Sequence, residues 1–217
     1  MDVTVFGAAG PTGTWICREA LQAGHQVRAV SRRTDPLSDL SSTRLTQVCA
    51  DAVSGAGVHE AVEGADAVLS ALGAAYSRHP ISVYSAGTQA ITEGLRAVGR
   101  GNRLVVVSSG LTYPPPQSFG FISDKVVFPL VRSVIGRTLY ADMRRMEEFL
   151  RRSDDIAWTV MRPGRLFDGL SVSAYRLDAD HPTQGYTARV DLAAAMVAEL
   201  DLVTAHVHQV LAPSTQR

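Results

Sequence analysis

The stretch "VFGAAGPTGTW", residues 5–15, restricts this chain's possible folds more than any other. A β-branched and aromatic run ends at Phe6, glycines follow at Gly7, Gly10 and Gly13, and a helical pattern begins at once. Turning sharply, approaching a ligand closely and starting a helix tight against a sheet are each easiest without a Cβ. The free N–H groups of the new helix favour an anion, and Pro11 suits its first turn, where a missing N–H costs nothing. Hydroxyls of Thr12 and Thr14 stand nearby as further donors. GxxGxxG between a buried strand and a helix therefore points to a dinucleotide diphosphate site.

The rest of the chain keeps the same rhythm. Short apolar runs predict strands over Val3–Phe6, Gln26–Val30, Leu45–Cys49, Ala67–Ser70, Leu104–Ser108 and Ala157–Met161, with a possible late strand in "VHQVLA". Between them, helices are predicted over Thr12–Ala23, Gly57–Val62, Val83–Val98, Tyr140–Arg152 and Val190–Leu200. Runs such as "VTVF" and "LVVVS" are apolar almost throughout, as parallel strands buried on both faces are. The expected architecture is α/β: one Rossmann-type domain over residues 1–217, with a doubly wound parallel sheet. Two segments interrupt the pattern: 110–136, where "PPP" forbids helix and the apolar, aromatic stretch after it reads as a flap or a short helix, and 166–187. Both follow strand C-termini, the edge where ligands bind in open α/β sheets.

Composition narrows the function by exclusion. Lys plus Arg is 21 and Asp plus Glu is 21, so net charge supports neither nucleic-acid nor membrane-surface binding. Cys17 and Cys49 have no ligand spacing and are expected as buried small hydrophobes, not a bridge. No GxxxxGK[ST], HExxH or His/Asp/Glu cluster occurs, so no metal site is expected. With no leader pattern or membrane-spanning run, the reading is a cytoplasmic protein, monomer or homodimer, acting on a small molecule.

"VRAVSRR", residues 27–33, bears on the choice of dinucleotide. An NAD site usually has a carboxylate near the end of the second strand. Here Ser31, Arg32 and Arg33 stand there, with Arg28 upstream and Asp35 beyond. Guanidinium groups and a hydroxyl suit the 2′-phosphate of NADP(H). Further along, Asp51 and Ala52 are placed to flank an adenine, and Leu72 and Gly73 to let a ribose lie against the main chain.

These features together resemble the atypical short-chain dehydrogenase/reductases, in particular the compact NAD(P)H-binding reductases that include biliverdin reductase B/flavin reductase, and more distantly NmrA-like proteins. The likeness runs from Gly7 to about Leu200. It rests on GxxGxxG, "SRR", "DAVS" where the family has DxxD, "ALG", "VVVSSG", "ADMRRMEEFLRRSDDIAWTVMRPGRL" and "YTARVDLAAAMVAEL". It implies that Ser108 and the segment Arg162, Pro163, Gly164 and Leu166 pass beside a nicotinamide. It also implies a buried structural pairing of Arg189 with Asp191.

In members with a Ser–Tyr–Lys set, the tyrosine of YxxxK passes a proton to the substrate. Here Tyr140 is followed at that spacing by Arg144, and Ser109 ends the fifth strand. Arg cannot relay a proton as Lys does, though its charge can stabilise a phenolate. Either Tyr140 is the acid or solvent supplies the proton. Tyr76, His79, Tyr113, Phe119, Phe121 and Phe128 are expected around a mostly apolar substrate pocket. The resulting expectation is an NADPH-dependent reductase of a small planar or carbonyl acceptor. The alternative is an NADP(H)-sensing regulator of the NmrA-like kind, without turnover.

Overall fold

The computed structural model describes residues 1–33, 37, 40–114, 120–201 and 203–216, so Asp35 and the predicted pocket residue Phe119 lie outside the described residues. The first half contains β1 (Asp2–Phe6), α1 (Pro11–Gln22), β2 (Gln26–Ser31), β3 (Leu45–Cys49), α2 (Val58–Val62), β4 (Ala67–Ser70), α3 (Val83–Val98) and β5 (Arg103–Val107). The second contains α4 (Phe128–Leu130), α5 (Arg137–Leu150), β6 (Ala157–Met161), β7 (Arg165–Phe167), β8 (Arg176–Ala179), β9 (Tyr186–Ala188), α6 (Arg189–Ala198) and β10 (Gln209–Ser214). An eight-stranded sheet runs β3-β2-β1-β4-β5-β6-β10-β8, parallel except for β8 against β10, and β7 pairs with β9 separately. This is the expected doubly wound Rossmann-type sheet.

Alternation along each strand divides the core. Val3, Val5, Ala67, Leu69 and Val105 face α1 and α6, while Phe6, Val68, Leu104 and Val106 face α2, α3 and α5. Period-2 side-chain direction makes both faces apolar, which is why these runs read as continuous hydrophobes. The β1–β4 boundary is where the chain switches sides, so a crevice opens beyond the carboxyl ends of these strands.

One interrupting segment is as expected, and two other expectations change. After the proline stretch, residues 121–135 form the short helical segment read there, α4 flanked by the π-helical turns Ser123–Val127 and Val131–Ile135. Segment 166–187 supplies β8 and parts of the β7–β9 pair rather than loop alone. Cys17 is buried and free as expected, but Cys49 is free and exposed, because β3 is an edge strand with much of one face open.

A buried carboxylate fixes α5 against α3. The first turn of α3 has no side-chain cap of its own at Ser82. Asp142, fully buried on α5, accepts the backbone N–H of Tyr84 at 2.8 Å and that of Ser85 at 3.4 Å, and also receives the Ser85 hydroxyl and Arg145. A carboxylate facing the positive end of a helix is favourable and satisfies otherwise orphaned donors. Asp142→Ala should lower stability by about 2–4 kcal/mol, with Asp142→Asn recovering part of it, as urea unfolding would measure.

Candidate functional site

Glycine geometry shapes one end of the site. Gly7 has φ +76, and a Cβ there would lie 2.6 Å from the Ala71 carbonyl oxygen. At Gly13 a Cβ would lie 2.1 Å from the Gly7 carbonyl oxygen, so the start of α1 packs directly onto the turn. No side chain caps α1, and Pro11 occupies its first turn. Its first N–H groups are therefore left for an anion. The turn is an anion-accepting cradle built from backbone.

A cavity of about 1680 Å³ runs from this turn along the carboxyl edge of the sheet. That exceeds the few hundred to 1,000 Å³ of an ordinary small-ligand pocket, leaving room for a dinucleotide and a second molecule. Gly7, Gly10, Pro11 and Thr12 line its first part, with Ser31, Arg32 and Arg33 beside them. Asp51, Ala52, Leu72 and Gly73 follow, and Ser108, Pro163, Gly164 and Leu166 line the far part. Asp51 Oδ1 accepts the Val53 N–H at 3.0 Å, which holds the turn after β3 in shape. The Ser31 hydroxyl donates to the Arg33 carbonyl and so holds the short turn that carries both arginines.

Gly13 and Thr14 support the cradle from behind. The Thr14 hydroxyl lies 3.2 Å from the Ala8 carbonyl and 3.1 Å from the Gly10 carbonyl, to which it donates, so it is spent on the turn itself. Arg28 also leaves the nucleotide end. Its guanidinium donates to the Ala61 and Glu63 carbonyls at 2.8 and 2.7 Å, where the carboxyl end of α2 attracts a cation.

The far part of the cavity holds a cluster of hydroxyls. Tyr140, only 3% exposed, lies 3.1 Å from the hydroxyl of Tyr76, and their rings meet edge to face at 6.4 Å. Burial foremost, and then the Tyr76 hydroxyl, push the Tyr140 phenol well above the ordinary tyrosine range, while a hydrogen bond with Ser109 pulls the other way. Tyr84 lines the same wall, its phenol also raised, chiefly by burial. Phe128 lies over this end with Val127 and Val131, as an apolar cover.

Arg144 goes elsewhere: its guanidinium donates to the Thr112 carbonyl at 3.0 Å. Tyr113 stacks on Arg162, with the guanidinium carbon 4.6 Å from the ring centroid, and borders a separate cleft. His79 and Phe121 do not line the large cavity, and Phe121 is 77% exposed. The pairing of Arg189 with Asp191 is corrected. Arg189 reaches Asp168 at 2.7 Å, while buried Asp191 accepts from Ser173 and Thr215. Residues two apart on a helix point to different sides, so α6 cannot offer both to one contact.

Three residues that support the site were not singled out in the sequence: Tyr84, Asp142 and Glu147. Glu147 is buried and receives Arg162 Nε at 3.1 Å, the Ser108 hydroxyl at 2.7 Å and Arg151 at 3.1 Å. Arg162 thus acts from behind the wall, fixing β6 just before Pro163. The signal lay in spacing: Leu139, Met143, Met146 and Leu150 mark the inner stripe of α5, and Asp142 and Glu147 fall on it. Among the described residues no cluster of three or more His, Cys, Asp or Glu could hold a metal ion, and no helix is long and apolar enough to cross a membrane.

Comparisons with known proteins bear on the family and the fold. A family model described as NAD(P)H-binding matches residues 7–202. YwnB of Bacillus subtilis, an uncharacterised protein, is 24% identical over 208 residues, covering 93% of this chain and 92% of its own. The oxidoreductase YlbE of Lactococcus lactis superposes with a TM-score of 0.77 at 14% identity, over 100% of this chain and 92% of its own. A wide-type short-chain dehydrogenase/reductase of Veillonella parvula, solved in complex with NADP, gives 0.73 at 16%, over 98% and 94%. At these identities the two solved structures share the fold.

Proposed function

The chain belongs to the NAD(P)H-binding family, and we propose that it is an NADPH-dependent oxidoreductase reducing a small planar or carbonyl acceptor such as a flavin, a quinone or a biosynthetic intermediate. One observation carries this reading: a single cavity joins the glycine cradle to the hydroxyls of Tyr140, Tyr76 and Ser109. Binding and chemistry share one space.

Each part has a role. The backbone at Gly7, Gly10 and Thr12 holds the diphosphate, Arg32 and Arg33 the 2′-phosphate, and Asp51 and Ala52 the adenine. Leu72, Gly73, Pro163 and Gly164 confine the ribose and nicotinamide. When bound, the reduced nicotinamide supplies a hydride. Phe128 and Leu166 wall the acceptor, with the Tyr76 ring beside them at the solvent side. Tyr140, kept neutral by its surroundings, holds the proton for the acceptor oxygen.

Changing Arg32 and Arg33 together to Ala should weaken NADPH on the order of 100-fold while leaving NADH nearly unaffected, as fluorescence titration would show. Equal losses would refute the 2′-phosphate assignment. The whole reading is tested by following NADPH absorbance with flavin, quinone and aldehyde acceptors. Because Arg144 is occupied by Thr112 and places no cation on Tyr140, the competing reading is an NADP(H) sensor. Saturable NADPH binding without consumption by any acceptor would favour it.

A further inference from the structure

Tyr140 is buried, and a phenol that gives up its proton inside a protein must regain it each cycle. In members with YxxxK, the lysine sustains that return. Here the fourth residue on is Arg144, an always-protonated group turned to the Thr112 carbonyl. Among the described residues, the groups that bear on the Tyr140 hydroxyl are Ser109 on the β5 side, Tyr84 on α3 and Tyr76 in the loop after β4. None is charged. The nearest acidic side chains on α5 are committed, Asp142 to the first turn of α3 and Glu147 to Arg162 and Ser108.

Of these neighbours, Tyr76 alone combines a direct hydroxyl contact of 3.1 Å with broad exposure, 54%. Either oxygen of the pair can be the donor. A hydroxyl both donates and accepts, so two in contact can pass a proton by turning over their hydrogen bonds. We propose that Tyr76 is a proton-relay and positioning residue that connects buried Tyr140 to solvent, taking the place that a lysine holds in the Ser–Tyr–Lys arrangement.

The proposal rests on the oxidoreductase reading, and its balance is simple. A carbonyl acceptor gains the hydride and its electron pair at carbon and a quinone gains them at one oxygen; in each the negative charge collects on the oxygen that faces Tyr140. The Tyr140 O–H bond breaks as its proton bonds to the acceptor oxygen. The Tyr76 O–H then donates its proton to the Tyr140 oxygen, and water returns one to Tyr76. Net, the acceptor gains two electrons and two hydrogens, and both tyrosines end unchanged. The raised affinity of Tyr140 for its proton makes this return favourable and makes a stranded phenolate costly. In the resting pair the Tyr76 contact favours the neutral phenol; once the Tyr140 proton has left, the hydrogen bond turns over and Tyr76 donates to the phenolate oxygen.

Tyr76→Phe keeps the ring and removes the hydroxyl. With menadione as acceptor, it should lower kcat roughly tenfold, with NADPH affinity and the KM for menadione retained. The same change made on Tyr140→Phe should cost nothing further, since the two act as one unit. A second readout needs no turnover. With isotope-labelled tyrosine, NMR in mixed light and heavy water reports how fast the Tyr140 hydroxyl exchanges with solvent, and Tyr76→Phe should slow it roughly tenfold. Unchanged exchange, or an equal loss of kcat in both backgrounds, would reduce Tyr76 to a pocket wall and overturn the relay. Wild-type protein that consumes no NADPH with any acceptor would sink the oxidoreductase reading instead, while slowed exchange in Tyr76→Phe would still uphold the proton connection.

Discussion

Gly13→Ala should abolish measurable NADPH binding while the sheet stays folded. The new Cβ would lie 2.1 Å from the Gly7 carbonyl oxygen, 2.7 Å from its carbon and 2.8 Å from Ala8 Cα. All three are backbone atoms, so no side chain can rotate away. Relief must come from α1 moving off the turn, which carries its free N–H groups away from the diphosphate. An overpacking cost of about 1–3 kcal/mol is expected in urea unfolding. A loss of affinity of about 100-fold or more should accompany it, because hydrogen bonds to a charged group depend on placement. Circular dichroism checks the fold and NADPH fluorescence titration checks the site. Wild-type affinity in a folded Gly13→Ala protein would mean that the phosphates dock elsewhere.

The glycine turn was legible in the sequence because its cause is local: no side chain fits, and the strand before it is buried on both faces. The same locality made β1, β4 and β5 readable. What stayed hidden depends on partners distant in the chain. β8 exists through its antiparallel pairing with β10, and its own residues, partly exposed, show no apolar alternation. β7 and β9 span three residues each, too short for any period to register. Glu147 lies in "RRMEEFLRR", which reads as a solvated helix, yet Arg162 and Ser108 reach it from other elements and make its burial tolerable.

Long side chains weaken arguments from spacing. Tyr140 and Arg144 are one helical turn apart and share a face, yet the guanidinium extends to the Thr112 carbonyl. Tyr76 and Tyr140 are 64 positions apart and meet at 3.1 Å, a contact that no pattern within either segment announces. The glycine end of the cavity could be inferred from a motif; the hydroxyl end depends on tertiary approach.

Tyr140→Phe is the sharpest test of that end. Removing the hydroxyl should lower kcat with menadione or an aldehyde about 100-fold, the lower range for loss of a positioned acid. The ring remains, so packing against Met143 and Leu139 is kept, and the KM for the acceptor and the affinity for NADPH should hardly change. An interaction used only as the proton moves shows itself in kcat rather than in binding. Acceptor dependence adds a second check. A flavin accepts hydride at nitrogen, where water can deliver the proton, so flavin reduction should fall much less than aldehyde reduction. The pH profile supplies a third. The phenol is held above its ordinary range by burial, so it stays protonated and competent, and wild-type turnover should show no alkaline decline attributable to it between about pH 6 and pH 9. Should Tyr140→Phe reduce aldehydes at the wild-type rate, the proton comes from solvent, and the hydroxyl pair serves only to hold α5 against the loop after β4.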